Sequence, residues 1–262
     1  MATREIVIVK DAAGLALAAA GRIEAEAARA GSTGSTSSRQ AGSPQVVAGG
    51  GRFSIALSGG NTPRAIYQLL AGEPARSRID WSRWDVYFGD ERAVPPEHQD
   101  SNFRMANEAL LSRVPIAAGA VHRMMTEKPP EEAAIEYGRL LKANFGDGGL
   151  DLVMLGMGDD GHTASLFPYS AALGETHHRC VANWVEKMST WRVTMSAPFI
   201  NRAKMVMILV SGAGKADRLA EVIDGPRDEQ RLPIQLINPA GEGAKLVWMV
   251  DEAAAVKLKT RG

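Results

Sequence analysis

The stretch DLVMLGMGDDGHTASLFP, residues 151–168, decides how the chain is read. Asp151 leads into an apolar run ending at Leu155, the pattern of a strand buried on both faces. The run passes directly into Gly156-Met157-Gly158-Asp159-Asp160-Gly161, then His162 and, a little later, Pro168. G-x-G-x-x-G after a strand is the spacing of a dinucleotide cradle. That reading also needs a helix after the third glycine and an acid at the end of the next strand for the ribose. Pro168 would cut the helix short, and HHRCVANWV (177–185) ends without an acid. A histidine at a strand end beside two aspartates suits a general base instead, with Asp160 orienting the ring. The plainer alternative is a histidine hydrogen-bonded within a turn; the flanking aspartates and glycines favour the catalytic role.

Outward from this stretch, apolar runs alternate with helical patterns. EIVIV (5–9), FSIAL (53–57), WDVYF (84–88), AVHRM (120–124), RVTMS (192–196), KMVMILV (204–210) and KLVWMV (245–250) read as strands. Helical patterns run over about 11–30, 63–70, 102–111, 130–145 and 214–223. The alternation predicts an α/β fold, a mostly parallel sheet flanked by helices on both faces. The 262 residues are expected to form a single domain, with the Gly/Ser-rich segment at about 30–52 as a surface loop.

Composition narrows the partners. Lys plus Arg and Asp plus Glu both number 30, which gives no case for nucleic acid or an anionic membrane. There is no long apolar stretch to span a bilayer and no signal-peptide pattern at the start. Cys180 stands alone, so no intramolecular disulfide forms, in keeping with a cytoplasmic protein. THHRC (176–180) has no second cluster to complete a zinc site, and no metal is expected.

In an open α/β sheet, ligands lie beyond the carboxyl ends of the strands. Ser58-Gly59-Gly60-Asn61-Thr62 follows one strand and precedes a helix. Glycines, hydroxyls and free amides at a helix start suit a phosphate. The simpler view is a tight turn with Thr62 as cap and Pro63 as first helical residue. Asp90-Glu91-Arg92 follows another strand end, where Arg92 suits a phosphate or carboxylate and a solvated charge triplet is the alternative. SGAGKA (211–216) fails as a phosphate-binding P-loop because Leu209 stands where the first glycine belongs. Lys215 is expected at a helix start near the rim.

LSGGNTP, FGDERAVPPEHQDSN, LGMGDDGHTASLFP, RVTMSAPFINRAKMV, SGAGKA, LPIQLINP and LVWMVD, in this order, resemble the 6-phosphogluconolactonases from about Phe53 to Ala254. The resemblance implies a modified Rossmann-like fold shared with glucosamine-6-phosphate deaminase and ribose-5-phosphate isomerase. It implies hydrolysis of 6-phospho-D-glucono-1,5-lactone, a sugar-phosphate lactone, without cofactor or metal. The alternatives are a glucosamine-6-phosphate deaminase and a non-catalytic sugar-phosphate sensor. The deaminases resemble D-G-H-I-A-F-N-E, with a glutamate five residues past the histidine, where this chain has Phe167. A sensor regulating transcription would need a DNA-binding module before Phe53, which the sequence there does not suggest. His162 and Asp160 are then expected to activate water. Ser58, Gly59, Gly60, Asn61, Thr62 and Arg92 would hold the phosphate, and amides near Gly158 to Gly161 would receive the oxyanion. Either Lys187 or Arg192 would add positive charge; the sequence leaves that choice open. A monomer or weak homodimer is expected.

Overall fold

The computed structural model describes residues 3–32 and 51–260. Most of the expected Gly/Ser-rich loop therefore lies outside the described residues. The strands are β1 (Thr3–Val9), β2 (Phe53–Leu57), β3 (Trp84–Phe88), β4 (Asp90–Arg92), β5 (Leu152–Gly156), β6 (Cys180–Val185), β7 (Thr190–Met195), β8 (Met205–Val210) and β9 (Lys245–Asp251). The helices are α1 (Ala12–Ser32), α2 (Asn61–Ala71), α3 (Ala75–Arg78), α4 (Asn102–Ala109), α5 (Pro130–Phe145), α6 (Ala197–Ile200), α7 (Ala216–Asp224) and α8 (Glu252–Ala255).

Six strands form one parallel sheet in the order β1-β9-β8-β5-β2-β3. Strand β8 shows why its run is uniformly apolar. Val206, Ile208 and Val210 face the layer of α5, α7 and α8, while Met205, Met207 and Leu209 face the layer of α1, α2 and α4. Successive side chains point to opposite faces, and both faces are covered. This is the α/β architecture the sequence predicts.

Two expectations need correction. AVHRM does not form a strand: Val121 makes one isolated bridge to Val86 after a short 3-10 turn. RVTMS does not join the parallel sheet. Its strand, β7, pairs antiparallel with β4 and β6 in a separate three-stranded sheet. Strand β4 follows β3 through Gly89 alone, so the small sheet is hung on the carboxyl edge of the large one.

The topology places the site. From β2 the chain moves outward to β3; from β5, the neighbour of β2, it moves the other way to β8. Adjacent strands whose connections diverge open a crevice at their carboxyl ends. The loops opening on it are those after β2 and β5.

Burial makes the sheet sensitive to truncation. Ile208 is fully buried, whereas Ile135 on α5 is 51% exposed. Ile208→Ala should lower the unfolding free energy by about 2–5 kcal/mol, and Ile135→Ala by no more than about 0.5 kcal/mol, in urea titrations.

Candidate active site

At the end of β5 the chain turns tightly. The Gly158 amide donates to the His162 carbonyl at 2.9 Å, and the Gly161 amide to the Gly158 carbonyl at 3.1 Å. Gly161 has φ +84°, where a side chain would be strained, and a Cβ there would lie 2.8 Å from Leu232. A Cβ on Gly158 would sit 2.0 Å from His162 Nδ1. The imidazole occupies that space. No helix follows Gly161; the next helical turn is a 3-10 segment at Ala171–Gly174. The pattern serves a histidine rather than a dinucleotide.

His162 Nδ1 lies 2.6 Å from Asp160 Oδ1, and the His162 amide donates to the same oxygen at 3.2 Å. The hydrogen bond from His162 holds the Asp160 carboxyl well below the usual carboxylate range, against a smaller opposing effect of burial. An ionised carboxylate only accepts, so Nδ1 carries the shared proton. In the neutral ring Nε2 is then left with its lone pair, and it has no protein partner among the described residues. Phe167 stacks on the imidazole, centroids 4.1 Å apart at 22°.

Only one of the two aspartates orients the histidine. Asp159 pairs with Lys215 at 2.5 Å, and Lys215 also donates to the Met157 carbonyl at 2.8 Å. Lys215 thus braces the loop from the start of α7. Lys187, on the turn between β6 and β7, lies 3.5 Å from Asp160 Oδ2. Of the amides expected to receive an oxyanion, those of Gly158 and Gly161 are occupied; those of Asp159 and Asp160 are unpartnered among the described residues.

At the end of β2, helix α2 begins at Asn61, with Gly60 as its cap at φ +107°. Thr62 is therefore not the cap, and Pro63 stands third rather than first in the helix. The amides of Gly59, Gly60, Asn61 and Thr62 have no acceptor among the described residues. Free N–H groups at a helix start are donors of the kind that favour an anion. The Ser58 amide is not available: it donates to the Tyr67 hydroxyl at 2.9 Å, which donates back to the Ser58 carbonyl at 2.8 Å.

Asp90 and Glu91 are not a solvated pair. Both are buried, at 8% and 2% exposure. Glu91 accepts from the amides of Asn102 (2.7 Å) and Phe103 (2.8 Å) and from the Ser101 hydroxyl (3.0 Å), holding the start of α4. Burial nonetheless pushes its carboxyl up. Asp90 accepts from the Ser165 hydroxyl at 2.6 Å and the Asn102 amide group at 3.3 Å. Asn102 in turn closes over Gly59, where a Cβ would meet its Oδ1 at 1.9 Å. Asn102, Ser165 and Tyr67 were not legible as site residues, since each acts through a distant partner.

Arg92 and Arg192 face each other across β4 and β7. Arg92 donates to the Asp100 carbonyl. Burial and then the Arg92 charge push the Arg192 guanidinium down, against the nearby acids Asp90, Glu91 and Asp100. Lys187 therefore belongs with the His162–Asp160 pair and Arg192 with Arg92.

A parallel sheet with a histidine–carboxylate pair and a helix start with free amides at its switch point has the features of an enzyme site for a small molecule. The chain belongs to the family of glucosamine-6-phosphate isomerases and 6-phosphogluconolactonases, whose model matches residues 10–248. A 6-phosphogluconolactonase of Nostoc is 41% identical over 214 residues, 79% of this chain and 85% of the relative. One from Synechocystis is 40% identical over 221 residues, 82% of this chain and 88% of the relative. The solved 6-phosphogluconolactonase of Trypanosoma brucei superposes with a TM-score of 0.78 at 27% identity, covering 98% of this chain and 100% of its own. A monomeric glucosamine-6-phosphate deaminase shares the fold, at a TM-score of 0.75 and 17% identity over 97% of this chain and 99% of its own.

The depressed Asp160 carboxyl has a pH signature. Its ionised form is bound more favourably in the folded state, so its contribution is present above the unfolded value, about 3.9, and is lost as the pH falls toward the lower folded value. The stability advantage of the wild type over Asp160→Asn should shrink as the pH is lowered from about 5 to about 3, followed by urea unfolding.

Proposed function

We propose that this chain hydrolyses 6-phospho-D-glucono-1,5-lactone to 6-phosphogluconate, with His162 as general base. The observation that carries the reading is the His162–Asp160 pair at 2.6 Å, beside the free amides that open α2. The family and its lactonase relatives agree with it.

The roles follow from the geometry. The substrate's phosphate sits on the amides of Gly59, Gly60, Asn61 and Thr62, with the hydroxyls of Ser58 and Thr62 as further donors. Arg92 and Arg192 supply its counter-charge. Water attacks the lactone carbonyl while His162 Nε2 takes its proton, and Asp160 supports the imidazolium through Nδ1. The ring C–O bond then breaks, and the departing ring oxygen takes that proton back as the new hydroxyl. The Asp159 and Asp160 amides are the donors free to meet the oxyanion. Lys187 offsets the Asp160 charge at the rim.

Phe167 separates this reading from the deaminase reading, because its apolar ring cannot move protons as a carboxylate would. No helix of the described residues is long and apolar enough to cross a membrane. The chain acts as a cytoplasmic enzyme, monomeric or weakly dimeric, on a small sugar phosphate without cofactor or nucleic acid.

The test is acid release from freshly generated 6-phosphogluconolactone, corrected for spontaneous opening, with ammonia release from glucosamine 6-phosphate assayed in parallel. His162→Ala should lower kcat by about 10²–10⁴-fold with little change in KM. Asn at position 162 should not restore it, since an amide cannot take the proton. Near wild-type kcat in a folded His162→Ala protein places the base elsewhere. A second assay addresses the phosphate. Arg92→Ala should chiefly raise KM, and unphosphorylated gluconolactone should be at least about a hundredfold poorer in kcat/KM. Equal efficiency on both lactones removes the phosphate assignment.

A further inference from the structure

A cavity of about 710 Å³ opens behind the His162–Asp160 pair, between the turn at 167–170 and the β6–β7 hairpin. Asp160 and Phe167 line it, but His162 does not. Phe167 stacks on the imidazole and so stands between that ring and the cavity. The size is that of a small-molecule site, roughly 300–1,000 Å³.

Both walls are aromatic. The hairpin brings Trp184, 41% exposed, and Trp191, edge to face with it at 5.6 Å and 62°. The turn brings Tyr169, 70% exposed. Tyr169 stands where its type does not suit the backbone. The Ser170 amide closes the turn on the Phe167 carbonyl at 3.1 Å, with Pro168 second and Tyr169 third at φ +60°. Positive φ at the third position of a turn favours Gly or Asn, and a bulky residue there is an outlier. The Tyr169 amide is held by the Gln230 carbonyl at 2.9 Å, but the ring gains little burial in return. Strain kept at an exposed residue that lines a cavity points to a ligand.

The lining also selects the ligand. Its one cation, Lys187, stands with two carboxylates, Asp160 and Glu186, and already lies 3.5 Å from Asp160. That balance does not favour an anion. The two indoles at 62° form no parallel slot for a planar aromatic molecule. They offer open ring faces to a ligand that is apolar on one side only. A pyranose fits: the slightly positive C–H groups of one face lie against the negative face of an aromatic ring. Its hydroxyls both donate and accept at the edge. Glu186 can accept there, Lys187 can donate, and the hydroxyls of Tyr169 and Ser170 can do either. Glu186 also fixes the Trp184 ring, accepting from its indole N–H at 2.7 Å.

We propose that this cavity is a second binding site, for an uncharged pyranose stacked on Trp184 and Tyr169. The site lies apart from the amides that open α2, and the inference does not rest on the lactonase reading. Its readout does not pass through activity.

The experiment is a nitrogen-15 correlation spectrum of the full chain, in which its five tryptophans give five indole signals. Trp184→Phe and Trp191→Phe identify the two cavity signals by their loss. The probe is methyl β-D-glucopyranoside, a closed ring without charge; sorbitol, with similar hydroxyls and no ring, is the comparison. The glycoside should shift the Trp184 signal saturably in the millimolar range. The signals of Trp81, Trp84 and Trp248, all buried elsewhere, should stay in place and report that the fold is intact. Sorbitol should leave all five unmoved. Tyr169→Gly removes one stacking ring and puts at the turn the residue its backbone prefers. It should weaken glycoside binding about three- to tenfold, as the loss of an aromatic contact requires. Trp184→Ala, followed through the Trp191 signal, should do the same; Tyr169→Gly alone serves if that variant does not fold. No saturable shift with the glycoside, an equal shift with sorbitol, or unchanged affinity in Tyr169→Gly overturns the inference.

Discussion

The buried carboxylate of Asp90 is the constraint on which the site depends. A buried charge is costly unless its oxygens are satisfied. Here the donors come from two other segments, Ser165 in the loop after β5 and Asn102 at the start of α4. Asn102 also closes on Gly59 in the loop after β2. Displacing any of these segments would strand a buried acceptor or open the packing over Gly59. The loop with the histidine and the loop with the free amides are therefore held in one relative position. The period of β4 does the rest: Asp90 and Arg92 share a face, while Glu91 points the other way and fastens α4.

The glycines of residues 156–161 show how a short pattern misleads when its physical cause is not specified. In a dinucleotide site the second glycine lets the pyrophosphate approach the backbone. In this chain the space in front of Gly158 holds an imidazole. The same loss of a Cβ serves two different neighbours, and only the flanking residues tell them apart. Pro168 and the two aspartates were legible and pointed to the histidine. Asp160 was legible as the partner of His162; that Asp159 is drawn off by Lys215 depends on where α7 begins and was not.

Most of the parallel sheet could be read because strands covered on both faces are continuous apolar runs. The small sheet could not. CVANWV reads as a strand, but it carries a buried asparagine and an exposed tryptophan, Asn183 and Trp184, so its alternation does not show which face is covered or which sheet it joins. Asn183 is buried because its amide group donates to the Ser165 carbonyl at 2.8 Å, a contact made across 18 residues. The hairpin partner RVTMS was visible as a strand, but its direction was set by β4, three residues long and too short to leave a periodic signal. The capping of α2 failed for a related reason. Thr62 is a good cap by type, yet the positive φ of Gly60 starts the helix earlier.

The arrangement of cations completes the argument for an anionic substrate. Lys215 is taken up by Asp159 and Lys187 by Asp160. Arg92 and Arg192 remain, set opposite one another on neighbouring antiparallel strands. Like charges in that position disfavour the pairing, and burial of Arg192 adds to the penalty. The acids nearby reduce the repulsion, but Glu91 is already committed to the amides of α4 and Asp90 to Ser165 and Asn102. A dianionic phosphate beside the two guanidiniums would turn this unfavourable pair into two charge-assisted contacts. On the proposed reading, the repulsion between the two guanidiniums and their attraction for the phosphate have the same origin.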